Sequence, residues 1–422
     1  MENQSIWQDA YQIIDNSVKA VLPGSAVRTA LQGRSFLQDV YVVAVGKAAW
    51  EMSKTAKEIL GDAIVKGIIL TKYGHGKGSL PGFEILEAGH PIPDQNSVIA
   101  TKKIVEMVLG LGKQDQVLFL LSGGGSALFE LPEKGVSLAD IQSVTDRLLR
   151  CGADITQINT IRKRLSAVKG GKFAHFCSPA KIFSIILSDV VGDRADMIAS
   201  GPACIDTSTC KEALQIIDQY DLKLSPAILK VIRQETPKHI NNVEFYVAGS
   251  VNELCHAAAC QAEKLGYHSY ILSTSLDCEA REAGRFLASI AKSIQSRSTH
   301  TFQLPCAVIA GGETIVRVQG SGLGGRNQEL ALSAAMGIGG LPNTVLFSFS
   351  SDGTDGPTDA AGGIVDGTTL SKLIRKNISI ASVLKNNDSY HALEAVQSLV
   401  KIGATGTNVN DVSVILCKEE PI

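Results

Sequence analysis

The residues of this chain that could do chemistry sit in five short loops. Val45-Gly46-Lys47-Ala48-Ala49 sets a lysine directly after a glycine, where a helical pattern begins. Free backbone N–H groups and the helix dipole favour an anion at such a point, and a cation belongs there when an anion is its partner. The alternative is a surface lysine in water. Ser122-Gly123-Gly124-Gly125-Ser126 follows the apolar run QVLFLL. Consecutive glycines cost chain entropy, and their N–H groups form a nest for phosphate or carboxylate oxygens. The segment is not a GxSxG elbow, since Leu128 stands at the last glycine's place, and no Walker A run occurs anywhere in the chain.

The third loop, Ser188-Asp189-Val190-Val191-Gly192-Asp193-Arg194, holds two carboxylates. They suit a metal or a general base, although an aspartate at a strand end is commonly a cap. In the fourth, Gly320, Gly322 and Gly325 match GxGxxG after the run TIVRV. A dinucleotide fold needs an acidic residue about 20 positions on, and residues 330–351 contain neither Asp nor Glu. The glycines lead instead to Arg326 and Asn327, where a planar guanidinium can meet phosphate or carboxylate oxygens. An exposed hairpin with a solvated arginine is the alternative. The fifth, Ser350–Asp359, contains Asp352, Asp355 and Asp359 among hydroxyls and glycines. These are oxygen ligands of the kind Mg²⁺ takes, or else Asx-turns. His90, lying before Pro91, reads as structural, and Asp94 as a helix N-cap.

Short β-branched runs alternating with longer amphipathic ones must position these loops. Such runs cover 41–45, 67–71, 83–88, 116–121, 181–187, 243–249, 270–273, 306–311, 314–318, 344–350 and 412–417. This is the pattern of a largely parallel α/β protein with strands covered on both faces. A chain of 422 residues exceeds one comfortable core. The polar stretch 221–242, with Pro237 and an asparagine pair, marks a boundary near 238. The expected domains are 1–238 and 239–422, with the strand 412–417 free to return to either. A formal charge of -2 offers no basic field for nucleic acid. Nine cysteines without a CxxC pair, a polar N-terminus and the lack of any membrane-length apolar run lead to the expectation of a cytoplasmic protein with reduced thiols.

Taken together, the runs VAVGKAA, AGHPIPD, LSGGGSAL, INTIRKRLSAVKGG, LSDVVGD, ASGP, GGET, GGRNQELAL, SDGTDGPTDAAGG and TGTNVND resemble the glycerate 2-kinase family, also known as class II glycerate kinases or MOFRL-domain proteins. They extend from residue 43 to residue 411. The resemblance implies two α/β domains, the larger with a Rossmann-like doubly wound sheet, and an active site in the interdomain cleft. It implies ATP-dependent phosphorylation of the 2-hydroxyl of D-glycerate. Lys47, Asp189 and Arg326 take the family's catalytic positions, and the fifth loop adds Asp352. Ser122, Gly123, Gly124, Gly125, Ser126, Gly322, Gly324, Gly325 and Asn327 are then expected to bind substrate or phosphate, and Asp352, Asp355 and Asp193 to hold Mg²⁺ beside ATP. D-glycerate and ATP are the expected partners, with no nucleic acid or membrane, and a homodimer is compatible with the sequence. Two rivals are an NAD(P)H-dependent hydroxypyruvate reductase and a non-catalytic sugar-acid or nucleotide binder on the same fold.

Overall fold

The computed structural model describes residues 2–36, 39–188, 194–298 and 300–419. The chain forms two compact units, Pro23–Ala248 and a discontinuous one made of Met1–Leu22 with Gly249–Ile422.

In the first unit, β1 (Val40–Val45), β2 (Ile64–Lys72), β3 (Phe83–Ala88), β4 (Gln116–Leu121), β5 (Lys181–Leu187) and β6 (Val243–Gly249) build one sheet in the order β3-β2-β1-β4-β5-β6. The β3/β2, β2/β1, β1/β4 and β4/β5 pairs are parallel. This is the doubly wound Rossmann order, whose direction reverses between β1 and β4. Successive side chains point to opposite faces, so each strand feeds two cores. Val43, Val45, Phe119 and Leu121 pack on one side with Ala100, Ile104 and Val108 of the helix Gln95–Val108. Val42, Ala44, Leu118 and Leu120 pack on the other with Met52 and Ala56 of Ala49–Leu60. This double coverage is why the strands read as continuous apolar runs. Asp94 caps Gln95–Val108 through a capping box with Ser97, as its position in the sequence suggests.

The second unit contains β7 (His268–Leu276), β8 (Cys306–Gly312), β9 (Thr344–Ser350), β10 (Gly362–Asp366), β11 (Leu399–Val400) and β12 (Asp411–Cys417) in the order β11-β10-β9-β12-β8-β7. Only the β7/β8 pair is parallel; the others run antiparallel. β12 lies between β8 and β9, so the last strand belongs here.

Three features differ from the sequence reading. The chain divides at 248/249 rather than near 238, because β6 completes the first sheet after the polar stretch has ended. The N-terminal helix joins the C-terminal unit: Ile6, Ala10, Ile13 and Ile14 bury against Leu254, Cys255 and Ala258 of Val251–Lys264. Tyr267 Oη donates to Asp9 Oδ2 at 2.7 Å. No sequence-local signal marks a contact across about 250 residues. Finally, the run 314–318 is not a strand. Ile315 makes one isolated bridge to Glu279, and Ile315 and Val318 lie exposed. The strand instead is β10, which begins with two glycines and lacks alternation; pairing with β9 from Gly362↔Phe349 to Asp366↔Val345 defines it.

Candidate active site

The candidate residues fall into two groups, one in each unit. In the first, the loops after β1 and β4 meet where the strand order reverses, the position at which open parallel sheets bind ligands. Lys47 N donates to Gly123 O at 2.9 Å, and Ala48 N to Ser122 Oγ at 3.1 Å. This closeness requires Gly46. Its φ is +123°, and a Cβ there would lie 2.2 Å from Ser122 Oγ. The Lys47 side chain is left exposed, beside Gly124. Among the described residues, no backbone carbonyl accepts from the N–H groups of Gly123, Gly124 or Gly125. The glycines and Ser126 line a cavity of about 1170 Å³. Ser122 lines the cavity too, and its buried hydroxyl accepts from the Ala48 N–H, joining the two loops.

Two features at this cavity escaped the sequence reading. His90 lines it beside Gly124. Burial lowers the affinity of His90 for a proton, and Lys47, Lys72 and His75 lower it further. The ring is therefore neutral at neutral pH and adds no positive charge beside Lys47. The ASGP run supplies Ser200, whose hydroxyl lies 3.3 Å from Ser126 Oγ and donates to Asn159 Oδ1 at 2.9 Å. Ala199 and Ser200 have φ values of +49° and +61°. Non-glycine residues in that region carry strain, which persists where surrounding structure holds it. Asn159 belongs to the run INTIRKRL, and only the fold brings it to Ser200. Asp189 and Asp193 lie outside the described residues.

The second group surrounds the N-terminus of the helix Arg326–Ile338. Arg326 grips both oxygens of Asp411 through Nε and Nη2, the latter at 3.1 Å, and Nη1 donates to Glu313 Oε1 at 2.7 Å. Burial works against its charge, but Asp411 and Glu313 outweigh that and hold the proton more firmly than in water. The isolated sequence offered Arg326 to an incoming anion; the fold supplies two carboxylates first. Their positions, in GGET and TGTNVND, carried the family resemblance without any assigned role.

The glycines before Arg326 also act differently from expectation. The N–H groups of Gln319 and Gly320 donate to Asn387 Oδ1, that of Gly322 to Asn386 O, and that of Leu323 to Asp388 Oδ1. A Cβ on Gly322 would lie 2.4 Å from Asp388 Cβ, and one on Gly324 2.2 Å from Ser389 Oγ. The loop is a close-packed mount whose Gly322 N–H is already bonded, rather than a cradle for substrate. Since no strand precedes it, the GxGxxG match also loses the context of a dinucleotide fingerprint.

Asp355 is buried against the same helix. It accepts from Asn327 N at 3.2 Å and Gln328 N at 2.9 Å, satisfying donors that a helix start leaves open. Burial pushes its carboxyl up to about 7, against the pull of those N–H groups. Gly325 is glycine because a Cβ would lie 2.3 Å from Asp355 Cγ. Asn327 is buried too, and its Oδ1 accepts from Ser348 Oγ at 2.5 Å. Both residues, expected to bind metal and substrate, are structural here. Asp352 Oδ1 accepts from Thr354 N at 2.8 Å and Ser350 Oγ at 3.0 Å, an Asx-turn. Among the described residues no group of three or more His, Cys, Asp or Glu side chains is arranged to hold a metal ion. Asp352 and Asp355 therefore form no all-protein cage for Mg²⁺, and Asp193 lies outside the described residues. No helix among the described residues is long and apolar enough to cross a membrane.

Comparison with known proteins agrees with this architecture. Residues 9–233 match a family model described as a domain of unknown function (DUF4147), and residues 306–411 match the MOFRL family. The D-glycerate 2-kinase of Thermotoga maritima is 52% identical over 97% of this chain and 97% of its own length. The glycerate 2-kinase of Pyrococcus horikoshii is 42% identical, covering 97% of this chain and 93% of its own. A crystal structure of the Thermotoga maritima glycerate kinase superimposes with a TM-score of 0.95 at 51% identity, over 98% of this chain and 100% of that one. With both halves matched and relatives this similar along the whole length, the chain belongs to the glycerate 2-kinase family and carries its MOFRL domain in the C-terminal unit.

Proposed function

We propose that this protein transfers the terminal phosphoryl group of ATP to the 2-hydroxyl of D-glycerate, giving 2-phosphoglycerate. The observation that carries the reading from geometry is the joining of the Gly46-Lys47 loop to the Gly123–Gly125 loop at the reversal point of a parallel sheet, where the glycines line a cavity of about 1170 Å³. Glycerate is far smaller than that space, which suits a nucleotide. Phosphoryl transfer depends on holding two oxygens in line and stabilising charge on the moving group, more than on covalent chemistry.

In this reading the glycine N–H groups and Lys47 bind phosphate oxygens, and neutral His90 adds no competing cation. Asp189 is the group assigned to orient the attacking hydroxyl. Arg326, fixed by Asp411 and Glu313, contributes positive charge with a set direction; its carboxylate partners lower its net charge, so it acts by position. Mg²⁺, which would neutralise phosphate oxygens when bound, is read as arriving with ATP, with Asp352 kept as its candidate carboxylate. The reading places the enzyme in the cytoplasm, where its unpaired cysteines stay reduced.

Incubation with D-glycerate and Mg·ATP followed by phosphorus NMR tests the proposal. The expected product is 2-phosphoglycerate with equimolar ADP. A 3-phosphoglycerate signal overturns the regiochemistry, and no phosphorylated product overturns the kinase. NADPH oxidation with hydroxypyruvate would favour the reductase instead.

A further inference from the structure

The segment from Arg162 to Lys172 carries five cations, and four have carboxylate partners. Lys163 Nζ lies 3.1 Å from Asp206 Oδ1, and Arg164 Nη2 3.4 Å from Glu235 Oε2. Lys169 Nζ lies 2.6 Å from Glu130 Oε2, and Lys172 Nζ 2.7 Å from Glu133 Oε1. Arg162 is the exception. Among the described residues its guanidinium has no ion-pair partner, and its one side-chain hydrogen bond runs from Nε to Thr145 Oγ1 at a long 3.4 Å. A guanidinium has five N–H donors, so most of its fork is left for something else.

Its position makes this costly. Arg162 is partly buried on the helix Ile155–Leu165 and lines the cavity shared with Gly123, Gly124, Ser126 and Asn159. Burial disfavours its charge, and nearby Glu130 offsets this only in part. Glu130 is itself bound to Lys169 and to the Leu131 N–H. Arginine does not shed its proton in proteins, so Arg162 sits in the cavity wall as a charged, under-bonded group. Such a group costs stability unless an anion meets it. The lining also includes the apolar Ile92, Ile141, Leu149 and Ile155, of which Ile92, Leu149 and Ile155 are more than half exposed, so the cavity offers apolar contact as well as the guanidinium.

We propose that Arg162 is an oxyanion-binding residue of this cavity, receiving either a phosphate of the nucleotide or the carboxylate of glycerate. The choice between these anions rests on the kinase reading; the existence of an anion site does not. The test uses the full-length protein and the variants Arg162→Met and Arg162→Lys. Inorganic phosphate, ADP and D-glycerate are titrated separately by calorimetry, KM is measured for each substrate, and Tm is recorded. A charge-assisted contact contributes about 1.5–3 kcal/mol, which corresponds to a roughly 10- to 150-fold loss of affinity. The expected result for Arg162→Met is a loss of that size, with Arg162→Lys between it and wild type and Tm equal or higher. Loss confined to phosphate and ADP assigns the nucleotide; loss confined to glycerate assigns the carboxylate. Affinities and KM values all within twofold of wild type overturn the proposal. So does a Tm several degrees lower that Arg162→Lys restores while ligand affinities stay unchanged, since that is a structural arginine. If wild type binds phosphate, Arg162→Met does not, and no 2-phosphoglycerate forms, the kinase reading fails and the anion site stands.

Discussion

Removing Arg326 should cost stability as well as activity, and the two losses can be separated. Arg326→Ala strands Asp411, whose side chain is 6% exposed and whose strongest partner is that guanidinium. Breaking a buried pair by deleting one partner costs about 3–5 kcal/mol. The stranded carboxyl can escape by taking up a proton, which sets a ceiling. From an unfolded-state pKa near 3.9, holding it neutral costs about 4 kcal/mol at pH 7 and about 1.5 kcal/mol at pH 5. The sign follows: burial already raises the Asp411 pKa, and losing Arg326 raises it further. The folded variant then binds more protons than its unfolded chain, so its stability falls as pH rises from about 4 toward the folded pKa. We expect a loss of about 3 kcal/mol at pH 7, or roughly 6–12 °C in Tm for a unit of this size, shrinking to about 1 kcal/mol at pH 5. Turnover should drop about 10²- to 10³-fold, the usual cost of one well-placed charge. Arg326→Ala/Asp411→Asn removes the stranded charge and should recover most of the stability while turnover stays low. Urea denaturation at both pH values and ADP release give the two readouts. A double variant that regains activity would show that Arg326 acts only through Asp411. Equal stability loss at pH 5 and pH 7 would refute the stranded-carboxylate account.

Three further outcomes are expected. Gly46→Ala meets Ser122 Oγ at 2.2 Å in a conformation that alanine rarely adopts; it should lose about 1–3 kcal/mol and raise KM for ATP, and a wild-type KM would detach the first loop from the nucleotide. Glu130→Gln leaves the fully buried Lys169 without its carboxylate and should cost about 3–5 kcal/mol, read by chemical denaturation; a change below 1 kcal/mol would mean that Lys169 relaxes to water. His90 should titrate below the usual histidine range in the free protein by proton NMR, because burial and Lys47 lower it, and should shift upward when phosphate or ATP fills the cavity. With its folded pKa depressed, His90 subtracts stability only as pH falls below the unfolded histidine value; it has no effect above it. An unchanged titration on ligand saturation would place the anion away from His90.

Much of the molecule was written into local sequence. The central strands β1, β4 and β5 appear as continuous apolar runs because their residues are buried on both faces, whereas the edge strands β3 and β6 are partly exposed and carry a weaker signal. The glycine run 123–125 and Gly46-Lys47 were legible for a similar reason: glycines between a strand and a helix are too costly to be incidental. The polar partners were not legible. Nothing local tells that Arg326 is met by Asp411, 85 residues on, or that Asp355 closes the helix that Arg326 begins. Arg162 stands among four other cations of the same type, and only the tertiary structure separates the one without a carboxylate from those that have one. The same limit explains 314–318 and β10. The first has strand composition and a single isolated bridge; the second has little strand composition and a complete partner in β9. Side-chain burial imprints a period on the sequence, whereas a charge or a strand edge is given its role by whatever the fold brings against it.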